Sequence, residues 1–158
     1  MRDTGAEPSH ADTVERLYRE QGDRIWRALL GFAGDADVAS DAEAEAFAQL
    51  LRRGGEVRDP ERWVWRAAFR IAAGELKNRR RPPPSFQEGA YDLEPPAIEL
   101  ADALRQLPDR QRSAVVLHYI ADRPVREVAA ILGMTSGSVK VHLSRGRKRL
   151  RTLLGEDG

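Results

Sequence analysis

The sequence predicts an all-α protein made of two small helical domains joined by a proline-rich linker. Three observations predict it. Apolar residues recur three and four positions apart through most of the 158 residues, and nowhere do they alternate as in a half-buried strand. Glycines and prolines interrupt that pattern where helices start and stop. One stretch, PPPSFQEGAYDLEPPAIEL, carries five prolines and weak periodicity, as a tether without fixed structure does. These signals bound a three- to four-helix N-terminal domain over residues 10–81, a linker over 82–100, and a C-terminal helix-turn-helix domain over 101–154. Units this small bury only about 60% of their unfolded surface, so each alone is marginally stable.

Taken in order, Val14, Leu17, Tyr18, Ile25, Leu29 and Phe32 mark an amphipathic helix over 12–33, with a break expected near Gly22 and an end at Gly31 and Gly34. Val38, Ala42, Ala46, Phe47 and Leu50 mark a second helix, closed by Gly54-Gly55. Its exposed side is acidic: Asp35, Asp37, Asp41, Glu43 and Glu45. A solvated face explains these carboxylates. A metal site does not, because no histidine accompanies them and helical spacing spreads them around the cylinder. Pro60 opens a third helix that runs to about Arg80, where Pro82-Pro83-Pro84 stops it. On a helical wheel its Arg66, Arg70 and Lys77 fall within about 40° of one another. Trp63 and Gly74 border that stripe, and Val64, Trp65, Ala68, Phe69, Ala72 and Leu76 take the other side. A basic stripe edged by an aromatic and a gap suits a single-stranded or melting nucleic acid, since an aromatic replaces lost base stacking. Trp63 as an ordinary core residue fits the pattern equally well.

Beyond the linker, Pro108 opens a helix through about Ala121, and Pro124 opens the next. There Val125, Val128, Ala129 and Leu132 form one apolar face. Gly133 follows where a left-handed cap belongs, and Thr135 or Ser136 can cap the last helix. In that helix Val139, Leu143, Gly146, Leu150 and Leu153 or Leu154 point inward. Ser138, Val141, Ser144, Arg145 and Lys148 lie opposite, with Lys140, Arg147 and Arg149 flanking. The small Ala129 at the crossing, Gly133 in the turn and Val139 as anchor hold the offsets of a helix-turn-helix. Such a motif presents the N-terminal half of its second helix to the major groove. Lysine and arginine neutralise phosphates there, and short serines permit close approach. From Arg123 to Arg151 the chain is strongly basic against one acid, Glu127, which favours DNA over a merely solvated face.

The formal net charge of +1 hides blocks of alternating sign: −6 up to Leu51, +6 from Arg52 to Arg81, −5 from Pro82 to Leu104, and +8 from Arg105 to Leu154. Such blocks predict different partners for different segments. With no cysteine there is neither a disulfide framework nor a thiolate metal site, and the three histidines lack ligand spacing. No apolar run approaches the roughly 20 residues of a membrane span, and the first residues lack a signal peptide's apolar core. A cytoplasmic protein with no membrane partner and no cofactor is expected.

The stretch LPDRQRSAVVLHYIADRPVREVAAILGMTSGSVKVHLSRGRKRLR closely resembles region 4 of extracytoplasmic-function (ECF) sigma factors of the sigma-70 family. The segments LYREQGDRIWRALLGFAGDADVASDAEAEAFAQLLRR and WVWRAAFRIAAGELKNRRR resemble region 2 more loosely. This chain has Ala44 where the family usually has Gln, Arg70 where it has Asn, and Gly74 where it has Asp. Those departures leave the expected fold intact and bear on how DNA is read and opened. The resemblance implies a subunit of RNA polymerase, not an enzyme, whose region 4 binds the promoter −35 element and the polymerase β flap. It implies −35 contacts from Ser136, Ser138, Lys140, Val141, Ser144, Arg145, Arg147 and Lys148. It implies that region 2 binds and opens the −10 element through Trp63, Arg66, Arg70 and Lys77, and docks on the β′ subunit through Asp37, Asp41 and Glu45. An anti-sigma protein is the regulator implied by analogy. The alternative is a sigma-like helix-turn-helix regulator that binds DNA or polymerase without initiating transcription.

Overall fold

The computed structural model describes residues 8–79 and 95–155. Seven α-helices carry the described chain, and no strand occurs among the described residues. Helix α1 spans His10–Ala33 and α2 spans Ala36–Arg53. A 3₁₀ turn over Gly54–Glu56 leads toward α3, Pro60–Arg79. Helix α4, Pro95–Arg105, opens the second half, followed by α5, Asp109–Val115, which widens into a π turn over Val116–Ile120. The last two helices are α6, Val125–Leu132, and α7, Ser136–Leu153.

The ends of these helices follow from short polar side chains and glycines. Ser9 caps α1 by accepting from the Asp12 amide at 3.1 Å, and Gly34, at φ 70°, closes it by donating to the Leu30 carbonyl at 2.8 Å. The Asp35 carboxylate accepts from the amides of Asp37 and Val38 and starts α2. The Asp59 carboxylate accepts from the Arg62 amide ahead of α3, whose first residue is Pro60. Thr135 caps α7 by accepting from the Ser138 amide.

Three sequence expectations are corrected. Helix α1 runs unbroken through Gly22, which is buried with Tyr18 and Glu43 beside it; Gly31 lies inside the helix and only Gly34 ends it. Helix α4 begins at Pro95, so residues 95–100, placed in the linker, are helical, prolines being tolerated in a first turn. The rest of that linker, to residue 94, lies outside the described residues.

Helices α1, α2 and α3 enclose one apolar interior that includes Ile25, Leu29, Phe32, Val38, Leu50, Val64 and Trp65. Helices α5, α6 and α7 enclose another around Leu117, Val128, Val139 and Leu143. The two interiors join into one cluster, because α3 packs on α6 and α1 packs on the π turn. Gly31 makes the second contact close: a Cβ there would stand 3.3 Å from Ile120 Cδ1. Phe32 and Phe69 lie at the joint, ring centroids 5.5 Å apart.

Candidate nucleic-acid interface

Helix α7 is held by a turn that needs glycine. Gly133 stands at φ 68° and donates to the Ala129 carbonyl, which also accepts from Met134 at 3.0 Å. That turn fixes the angle at which α7 leaves α6. Val139, Leu143 and Gly146 are buried on its inner side, and Leu150 packs partly against them. Gly146 lets α7 approach α5: an added Cβ would stand 2.7 Å from Val115 Cγ2. The other side presents Ser136, Lys140, Val141, Ser144, Arg145 and Lys148, all exposed. Val141 is 46% exposed, an apolar contact set among cations and suited to a thymine methyl. Ser138 is half-buried with its amide held by Thr135. Arg147 is half-buried and donates to the Tyr119 hydroxyl at 2.7 Å, so it stands at the edge of this face. Arg149, Gln111 and Thr152 join Arg145 and Lys148 around a shallow basic depression at the α5–α7 junction.

The stripe on α3 is also solvent-facing: Arg66, Arg70 and Lys77 are exposed, and the space where a Gly74 side chain would stand is open. Trp63 serves in two ways. It packs partly against the core, and the Arg53 guanidinium covers its ring at 5.4 Å. Around it Arg53, Arg58, Arg62 and Arg66 form a second basic depression of about 390 Å³, with Val57 and Asp59 in its wall. The sequence counted these arginines within a basic block but could not group them, because the α2–α3 connection has no periodicity. Arg66 and Arg70 also line a cleft of about 290 Å³ between the two halves. Across it stand Arg110, Ser113, Ile131, Leu132 and Met134. Lys77 is not among the residues lining that cleft.

On α2, Asp37, Asp41 and Glu45 are exposed at four-residue intervals along one stripe. Glu45 is engaged within the chain, accepting from Gln49 at 2.9 Å and Arg52 at 3.1 Å, and those bonds hold its carboxyl below the usual range. Glu43 departs from the expected exposed acidic face: it is 9% exposed, with Oε2 unpartnered beside α1. Burial, with Asp23 nearby, pushes its carboxyl up to about 7. Arg123, counted by sequence with the basic surface, is also interior, at 8% exposure. Among the described residues no group of histidines and carboxylates could hold a metal ion, and no helix is long and apolar enough to cross a membrane.

A family profile described as sigma-70, region 4, matches residues 97–150. The ECF RNA polymerase sigma factor BldN of Streptomyces coelicolor is 26% identical, over 96% of this chain and 64% of its own. The ECF RNA polymerase sigma factor SigE of Mycolicibacterium smegmatis is 28% identical, over 90% and 62%. The RNA polymerase sigma factor CarQ of Myxococcus xanthus is 27% identical, over 92% and 91%. The chain thus spans less than two thirds of the first two relatives and most of the third. Two solved structures share the fold. The sigma factor RpoE, in complex with the anti-sigma factor NepR from Bartonella quintana, matches with a TM-score of 0.76 at 18% identity, over 92% of this chain and 99% of that one. CnrH, in complex with the cytosolic domain of CnrY, matches with a TM-score of 0.72 at 21% identity, over 92% and 89%.

Proposed function

We propose that this chain is an ECF sigma factor of the sigma-70 family, as the region 4 match over residues 97–150 and the similarity to ECF sigma factors along most of the chain support, and that it directs RNA polymerase to promoters and helps to open them. The observation that carries this reading is the exposed face of α7, where Lys140, Val141, Ser144, Arg145 and Lys148 lie on a helix fixed by the Gly133 turn. That face reads the −35 element in the major groove: cations neutralise phosphates, Arg145 reaches a base edge, and Val141 meets a methyl group. Ser136 and Ser138 supply contacts at the N-terminal end of α7, and Arg147 supplies one at its rim.

The residues 10–81 and 101–154 act as separable units, one for each promoter element. Arg66, Arg70 and Lys77 on α3 hold the backbone of the strand exposed at the −10 element, and Trp63 offers a stacking surface. Asp37, Asp41 and Glu45 on α2 dock on the β′ subunit, with Glu45 contributing least because Arg52 already neutralises part of its charge. Region 4 also meets the β flap. The chain supplies recognition, the phosphodiester chemistry belongs to the core enzyme, and no cofactor is needed. A protein of the anti-sigma class regulates it. Like its relatives it works inside the cell.

Run-off transcription with purified core polymerase over genomic DNA, followed by mapping of start sites, tests the proposal. Discrete transcripts that depend on the added chain and share upstream elements are expected. Binding to core polymerase with no chain-dependent transcript would favour a regulator that occupies polymerase without initiating.

A further inference from the structure

The π turn at the end of α5 carries an aromatic side chain on its outer side. The Ala121 amide there donates to the Val116 carbonyl at 3.0 Å, and single π turns of this kind recur at functional sites. Tyr119, inside the turn, is 48% exposed, and its hydroxyl accepts from Arg147 Nη1 of α7 at 2.7 Å. The tyrosine ring stands edge-on to His118, centroids 4.8 Å apart, and His118 Nδ1 donates to the Arg123 carbonyl at 2.8 Å. The hydroxyl is thus held by Arg147 and the ring by His118.

The count of donors decides what this pair can bind. An arginine only donates, so the tyrosine oxygen accepts from it and the phenolic proton is left to be given elsewhere. No group among the described residues takes that proton, and no carboxylate among them pairs with Arg147. The pair therefore offers an O–H and a cation side by side, a donor set for an oxyanion. Accepting from a cation also polarises the hydroxyl and strengthens it as a donor.

The position on α7 decides which oxyanion. Lys140, Ser144, Arg147 and Arg151 follow at intervals of four, three and four and form one stripe beside the outer face. A helix with its side chains is about 10–12 Å across, and the major groove is about 12 Å wide. A helix lying in the groove therefore has its flanks against the phosphate walls. Base edges are met by the N-terminal half of such a helix, whereas Arg147 lies in the second half of α7.

We propose that Tyr119 is a DNA-backbone ligand supplied from outside the recognition helix, its hydroxyl and the Arg147 guanidinium together clamping one phosphate on the groove wall. Arg147 then carries no base specificity. The clamp rests on the reading of α7 as the face toward DNA.

Fluorescence anisotropy with two labelled duplexes tests it, one carrying the mapped −35 sequence and one of random sequence. Tyr119→Phe removes one oxygen and keeps the ring. It should weaken binding to both duplexes by the same factor, about tenfold, as for a hydrogen bond to a charged group. Arg147→Ala should also weaken both equally, and should lower the salt slope by about one, which Tyr119→Phe, losing no charge, should not do. In the double variant the losses should not multiply, because each group orients the other. Replacing phosphates one at a time by neutral methylphosphonates should find one position where the unaltered chain loses affinity and neither variant loses more. Full binding by Tyr119→Phe, or losses that multiply in the double variant, overturns the clamp. A loss confined to the mapped sequence overturns it as well, since that marks contact with a base. Run-off transcripts alongside full binding by Tyr119→Phe would sink the clamp and leave the functional reading standing. A tyrosine-dependent loss on random duplex, with no transcript, would sustain the clamp and count against initiation alone.

Discussion

Arg145 and Glu43 show how differently one charge behaves in water and in a helical interior. Arg145 is exposed on the outer side of α7, the side proposed above to face DNA. Arg145→Ala is expected to weaken binding to the preferred −35 sequence by about 1–3 kcal/mol and binding to random duplex by less. Fluorescence anisotropy on both duplexes checks it; equal losses would mark a phosphate contact. Glu43 is enclosed between α1 and α2 with Asp23 nearby, its carboxyl raised from 4.5 to about 7. Between those values the native chain keeps a proton that the unfolded chain has released. Stability therefore falls as pH rises through that window, and the loss is complete above about 7. Glu43→Gln should leave the urea midpoint unchanged near pH 4 and raise stability at pH 8 by about 1–2 kcal/mol, allowing for partial solvation. A parallel pH dependence in both proteins would remove Glu43 as the cause. Neither the burial of Glu43 nor that of Arg123 was legible in the sequence. A charged residue on a polar helix face or in a turn reads as exposed, and only the approach of another helix encloses it.

At the scale of elements, the sequence was most legible where local chemistry decides. The α6–α7 turn follows from a glycine free to adopt positive φ and a threonine able to cap, both neighbours in sequence. The inward and outward faces of α7 follow from helical periodicity alone. The start of α4 was hidden because Pro95-Pro96 reads as a break, although proline also fits a helix's first turn. The basic depression around Trp63 was hidden because its arginines come from an irregular connection. Gly146 shows what an element demands of its neighbour. Gly146→Ala would place a methyl group 2.7 Å from Val115 Cγ2, a stiff and buried side chain. Overpacking costs about 1–3 kcal/mol, more than the about 1 kcal/mol that alanine adds to a helix over glycine. Thermal melts should therefore show a lower midpoint. Gly137→Ala, on the same helix with only the Thr135 hydroxyl within 4.0 Å, should instead raise it. A rise at both positions would show that α7 shifts away from α5 without cost.

For the whole molecule, the consequential feature is that the two interiors meet. The linker and the change of charge along the chain led the sequence to two units, and nothing local in either half announced their joint. It is built from contacts distant in sequence, Arg112 with Phe32 and Arg123 with Gln21 and Glu61. A shared apolar cluster predicts one cooperative unfolding transition. Far-UV circular dichroism and tryptophan fluorescence should give coincident urea curves, and two separated steps would show that the joint contributes little to either half. The position of Trp65 adds a property of another kind. Its ring is fully buried, its indole nitrogen has no hydrogen-bond partner, and the Arg123 guanidinium covers its face. An indole in such dry surroundings emits further to the blue than one in water. When unfolding separates the two interiors, the cover leaves and water reaches the ring. The residue that fills the joint thus acts as a native dye: in a chain whose Trp26 and Trp63 are replaced by Phe, its emission colour reports whether the joint is intact, with no label attached.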